Sequence, residues 1–236
     1  LPLAFGECHN VSPLLTVPST LTFQYHNGAA ERLIEVRDNG APITTYTSNL
    51  AAGTFTLTAA PVGQITADVQ GAKPGGTWSA NIATLVQYIV QNYGPSTTRY
   101  SAGDLDSASL SAFASANPQP VGLCLTDRAN VLQVCQDLAS SVGAQVVVTT
   151  LGKLRLIQLA LPAGGTPTAV TAQDFDEHSL SVTERPPVQA TAKLGWGRNW
   201  SVQTSGLATG LPASSAAALG QGVLSVTSSD ATAASV

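Results

Sequence analysis

Residues Val121 to Leu159 read VGLCLTDRANVLQVCQDLASSVGAQVVVTTLGKLRLIQL. Three elements follow one another in this stretch. Val121-Gly122-Leu123-Cys124-Leu125 is a short apolar run and reads as a strand. Asp127 can cap a helix from about Arg128 to Val142, its carboxylate accepting from the free N–H groups of the first turn. Val131, Cys135, Leu138 and Val142 recur at spacings of four, three and four, which places them on one helical face. Gly143 stands where a left-handed residue closes such a helix. Two strands follow, residues 145–149 and 153–159, joined by a short turn containing Gly152. Strand, helix and hairpin in immediate succession predict an α+β chain.

Upstream the pattern has a period of two. Leu21–Tyr25, Ile34–Arg37, Thr54–Thr58 and Ile65–Val69 each place apolar side chains on one face. His26-Asn27-Gly28, Asp38-Asn39-Gly40 and Ala52-Gly53 punctuate them, and Asn-Gly suits the positive φ of a tight hairpin. Residues 1–75 are therefore expected to be an antiparallel β module with one wet face. Lys73-Pro74-Gly75-Gly76 ends it. Residues 76–120 read as a helical insertion. In it Ser79 is a candidate cap, and Ile82, Leu85, Val86, Ile89 and Tyr93 form a helical stripe stopped by Gly94-Pro95. A second helix near Ser107–Ala116 turns Leu110 and Phe113 inward and ends at Asn117-Pro118. Residues 121–205 form a second β module, with further strands expected at residues 180–184 and 188–194 around Pro186-Pro187. Residues 206–236 are Ala/Ser-rich, with one short helix near residues 213–219, and read as the continuation of a longer chain. The predicted fold is α+β and mainly β, antiparallel, with short helical insertions.

Asp, Glu, Lys and Arg make up 10% of the 236 residues, against a usual ~25%. A surface this neutral suits a chain packed against other subunits. The ten basic residues are scattered, and the net charge of −4 leaves no electrostatic footprint for nucleic acid. No run approaches the ~20 apolar residues of a membrane span. The N-terminal residues Leu1–Gly6 lack an initiator Met and a basic leader region, so the chain reads as a processed product or a piece of a longer polypeptide. Cys8, Cys124 and Cys135 share no C-x-x-C spacing and read as buried free thiols.

The chain shows no nucleophile elbow, and His9, His26 and His178 lie far apart in sequence. His26 belongs to a hairpin turn. Asp174-Phe175-Asp176-Glu177-His178 is the one dense group of potential ligands; its spacing fits neither a calcium loop nor a zinc motif, and a solvated loop is the expectation. Asn10-Val11-Ser12 and Asn199-Trp200-Ser201 match a glycosylation pattern by coincidence. No cofactor or metal is expected, and no catalytic residue is assigned. Trp196-Gly197-Arg198-Asn199-Trp200 suits either a sugar ring or a neighbouring chain. Packing is preferred, which makes Trp196, Arg198 and Trp200 candidate subunit contacts.

Several segments, in order, carry a family resemblance: Pro2–Gly6 with Asn10-Val11, Asp38-Asn39-Gly40, Ala67–Gly71, Asn130 through Gly143 to Arg155, and Gly195–Trp200. Over roughly residues 1 to 205 the chain resembles tail tip proteins of non-contractile bacteriophages and prophages, in a region similar to baseplate hub domains. The resemblance implies β-barrel-like modules with helical insertions and a homotrimeric ring under the tail tube. It also implies contacts with the distal tail protein, the tape-measure protein and other tail tip proteins. Such a subunit would assemble in the bacterial host cytoplasm, reside in the virion, and serve attachment and DNA entry without being an enzyme. Two other classes compete with this reading. Exposed aromatics beside Asp or Asn would favour a receptor- or glycan-binding adhesin module, and a cleft with paired carboxylates a cell-wall hydrolase.

Overall fold

The computed structural model describes residues 2–158, 169, 171, 173 and 191–229. Eight strands fill the first third: β1 (Leu3–Val11), β2 (Leu14–Val17), β3 (Thr22–Gln24), β4 (Ala30–Asp38), β5 (Ala41–Ile43), β6 (Tyr46–Asn49), β7 (Thr54–Leu57) and β8 (Ile65–Ala72). The middle carries α1 (Ile82–Asn92), α2 (Ser107–Ala116), β9 (Gly122–Leu125), α3 (Val131–Ser140), β10 (Ala144–Val148) and β11 (Leu154–Gln158). Last come β12 (Thr191–Trp196), α4 (Ala213–Leu219) and β13 (Leu224–Ser229). The chain is α+β and mainly antiparallel β. Its larger sheets run β5-β4-β8-β1-β9 and β2-β3-β7-β6, and no closed barrel is found among the described residues.

Contacts divide the chain into two compact units. One holds residues 1–158 with 196–224; the other holds residues 159–195 with 225–236 and carries most of the small β12-β13 sheet. This division cuts across the one read from sequence. The first unit takes in residues 1–75, the helical insertion, most of the expected second β module and the first half of the Ala/Ser-rich tail. Strand β9 pairs directly with β1, from Leu3 opposite Leu125 to Gly6 opposite Gly122.

β1 is the hinge of that unit. Its Ala4 and Cys8 belong to a core built from both large sheets, with Tyr25, Val36, Phe55, Ala67 and Val69. Its Phe5, with Leu3 packed alongside, belongs to a second core, where α1, α2 and α3 meet β10 and β11 through Leu85, Val86, Phe113, Cys135, Leu138 and Leu156. A strand buried on both faces has no polar alternation, so period-two reading passes over it.

The helices follow their apolar stripes, with two corrected starts. Ser79 is not the cap of α1: Asn81 is, accepting from the Ala83 amide at 3.0 Å, while Ser79 Oγ accepts from the Asn81 amide. Likewise Asp127 does not cap α3. Asn130 does, accepting from Leu132 and Gln133, and Asp127 instead takes a hydrogen bond from the Thr126 hydroxyl. In both cases an asparagine directly before the apolar stripe fits the cap, and the upstream residue lies outside the helix. α2 spans the predicted residues, and its cap is Asp106. The hairpin β10-β11 closes through a turn in which the Gly152 amide donates to the Thr149 carbonyl, with Gly152 at φ 75°.

Candidate functional site

β8 places Asp68 at the middle of the five-stranded sheet, with β1 on one side and β4 on the other. Alternation would put this side chain on the wet face. There it is largely covered, and the neighbouring strands bulge on both flanks: the register shifts between Cys8 and Val11 in β1 and between Leu33 and Glu35 in β4. Such bulges re-aim side chains. Asn10, at φ 55°, turns its amide onto Asp68 Oδ1 at 2.7 Å. Arg37 meets the same carboxylate with two nitrogens, Nη1 to Oδ1 at 2.8 Å and Nη2 to Oδ2 at 2.6 Å. Arg37 Nη2 is also paired with Glu35. His9 lies 4.0 Å from Asp68 Oδ2 and 3.7 Å from Glu7 Oε1. Burial alone would raise the Asp68 pKa; the bonds from Arg37 and Asn10 outweigh it and hold the carboxyl below its ordinary value.

Residues 199–222 are tied over this face. Asn10 Nδ2 donates to Asn199 Oδ1 at 2.9 Å and also to the Ser201 carbonyl. Asn199 Nδ2 in turn donates to the carbonyls of Leu219 and Gln221 at 2.8 and 2.9 Å. The Trp200 amide donates to the His9 carbonyl, and the Ala208 amide to that of Asn39. A Cβ on Gly40 would lie 2.6 Å from Leu219 Cδ1, so the Asn39-Gly40 hairpin turn is also the seat of α4. The two apparent glycosylation sequons thus hold each other: Asn10 and Asn199 are bonded side chain to side chain.

Between sheet and covering segment lies a cleft of about 560 Å³. His9, Asn10, Glu35, Arg37 and Asp68 form its polar wall; Trp196, Leu211, Pro212, Leu219 and Leu224 are among its apolar residues. The three candidate contact residues part company here. Trp200 is half-buried against the sheet core, with the Arg198 guanidinium 4.1 Å above its ring, so these two are engaged within the chain. Trp196 remains 56% exposed at the cleft.

His26 does not sit in a hairpin turn, because β3 and β4 belong to different sheets. It is 2% exposed, and its Nδ1 accepts from the Ala4 amide at 3.0 Å. Cys8, Cys124 and Cys135 are buried and unpaired, and burial pushes the Cys124 and Cys135 thiols up to about 11 and 12. Asp174, Asp176 and His178 lie outside the described residues, as do the expected strand at 180–184 and the start of that at 188–194. Among the described residues no group of three His, Cys, Asp or Glu side chains could hold a metal ion.

No profile of a known family, no curated protein and no solved structure matches this chain. The cleft therefore rests on its own geometry. Sequence reading passes over Asp68, Arg37 and Asn10 because each sits in a strand at an ordinary polar position. One signal is present: the chain has few charges, yet Glu31, Arg32, Glu35, Arg37 and Asp38 crowd one strand.

Proposed function

We propose that this chain is a structural subunit of a tailed-bacteriophage tail tip, a homotrimeric hub that joins the tail tube and distal tail ring to the central tip or fibre. The observation that supports it best is the edge of the four-stranded sheet. β2 is exposed along its length, with Leu14, 50% exposed, followed by Leu15 and Val17. An apolar edge strand left open to water invites pairing with another chain. Its four residues carry no lysine or other charge, and Pro13 and Pro18 bound the strand at either end. The low charge content supports the same reading, since obligate interfaces bury more than ~2,000 Å² and are depleted of charge at their centres. The order of segments resembling tail tip hubs supplies the identity of the assembly. The described residues include no helix long and apolar enough to cross a membrane.

The test is light scattering on the full-length natural protein together with a map of the intact virion. Three copies on the tail axis are expected, and Leu15→Arg should reduce the trimer to folded monomers. A monomer in solution with six copies, or none, on the axis would overturn the proposal.

A further inference from the structure

We propose that the cleft between the five-stranded sheet and residues 196–224 binds a saccharide, one uncharged sugar ring lying against Trp196. At about 560 Å³ the cleft has the size of small-ligand sites, ~300–1,000 Å³. Its two walls differ in a way that specifies the occupant. On one side Trp196 presents a large exposed ring, continued by Leu211, Pro212 and Leu224. A flat apolar wall of this kind accepts the C–H face of a sugar.

The opposite wall is rich in acceptors and short of donors. Glu35 and Asp68 contribute carboxylates, while Arg37, the one fixed cation lining the cleft among the described residues, is already committed to both. Asn10 is 4% exposed, and its Oδ1 accepts no hydrogen bond from the described residues. Asn10 Nδ2 is fixed by Asn199 and Ser201, so the amide cannot turn over to pair that oxygen. Asn10 Oδ1 is itself enclosed, so the acceptors that face the cleft are the Glu35 and Asp68 carboxylates, and they call for a ligand that brings hydrogen-bond donors, directly or through an ordered water. An anion would face two carboxylates whose one guanidinium is already engaged. A sugar meets both demands at once, with an apolar face for the indole and hydroxyls for the acceptors.

The wall is also built in advance. Two bulges, the left-handed Asn10 and the Asn10–Asn199 link hold these acceptors in place without a ligand, which lowers the ordering cost of binding. Nor does the set resemble the acid–base pair of a hydrolase. Its buried carboxylate, Asp68, is held ionised by Arg37 and suits a fixed acceptor rather than a proton donor.

The experiment is isothermal titration of the folded chain with maltotriose, chitotriose, glucuronate and n-butylamine. At least one uncharged trisaccharide is expected to bind, and glucuronate and butylamine are not. Trp196→Ala should weaken that binding roughly tenfold or more, with Trp196→Phe restoring part of it. Ala218→Trp, which fills the cleft from α4, should abolish it, and circular dichroism would show both variants folded. Three results would overturn the proposal: no sugar binding up to about 10 mM, butylamine binding in place of sugar, or sugar binding that survives both variants. None of these bears on the trimer, which is read at β2 and not at the cleft.

Discussion

His26 shows what a single side chain contributes when its surroundings replace water. Its Nδ1 serves as the acceptor for the Ala4 amide, which fixes the ring proton on Nε2, and burial pushes its pKa down to about 4 from 6.5. Protonation would strip the Ala4 amide of its partner and place a charge where water does not reach. The unfolded chain therefore binds this proton more readily than the folded one. Stability is complete above about pH 6.5 and falls as pH drops toward 4, by roughly 3 kcal/mol in all. His26→Asn, whose Oδ1 can stand in for Nδ1, should flatten urea-derived stability across that window. An unchanged slope would show that His26 is not the group responsible. Asp68, with its pKa lowered, adds its own loss only below its ordinary value of 3.8, so the two effects separate on the pH axis.

At the level of elements, α3 and β1 make opposite demands on sequence. Of the stripe visible in its spacing, α3 buries Cys135 and Leu138, while Val131 and Val142 are half-buried; Val134 and Ala139 are buried besides. Leu138→Ala should cost about 2–5 kcal/mol in urea unfolding; a loss below ~0.5 kcal/mol would mean this face is not core. β1 instead depends on what its neighbours omit. A Cβ on Gly71 would lie 1.9 Å from the Ala4 carbonyl oxygen, and one on Gly122 at 1.9 Å from that of Glu7. Backbone cannot yield by that much, so Gly71→Ala and Gly122→Ala should each cost about 3 kcal/mol or more. Gly152 has nothing near its Cβ position and only a positive φ to protect, so Gly152→Ala should cost about 1 kcal/mol. Thermal denaturation of the three variants ranks them directly, and equal losses would refute the close approach as the cause.

Across the first unit, the sheet face around Asp68 and the covering segment depend on each other. The Asn10–Asn199 link joins residues 189 positions apart, and Asn199 also gathers the Leu219 and Gln221 carbonyls. Asn199→Ala removes the side-chain partner of the half-buried Ser201 amide and of the Gln221 carbonyl, cuts the link to Asn10, and should cost about 1–3 kcal/mol. Hydrogen exchange should then quicken across residues 199–222 while α3 keeps its protection. Uniform quickening through α3 would mean that the segment and the helical core unfold as one.

Elements whose burial is one-sided are legible in the amino-acid order. The stripes of α1, α2 and α3, the β10-β11 hairpin and the Asn-Gly turn after β4 can be read there because a single buried face, or a required positive φ, leaves a local periodicity. Even so, the caps are Asn81 and Asn130 rather than Ser79 and Asp127, since several polar residues compete for one helix start. The rest is set by packing in three dimensions. β1 carries no alternation because two cores claim its two faces, and β9 joins it from more than a hundred residues away. Asp68 and Arg37 read as wet-face residues, and with Asn10 they become the wall of a cleft only because β1 and β4 bulge beside β8 and residues 196–224 cover that face. Charge pairing and burial depend on distances in space, and chain spacing carries no record of a partner 189 residues away.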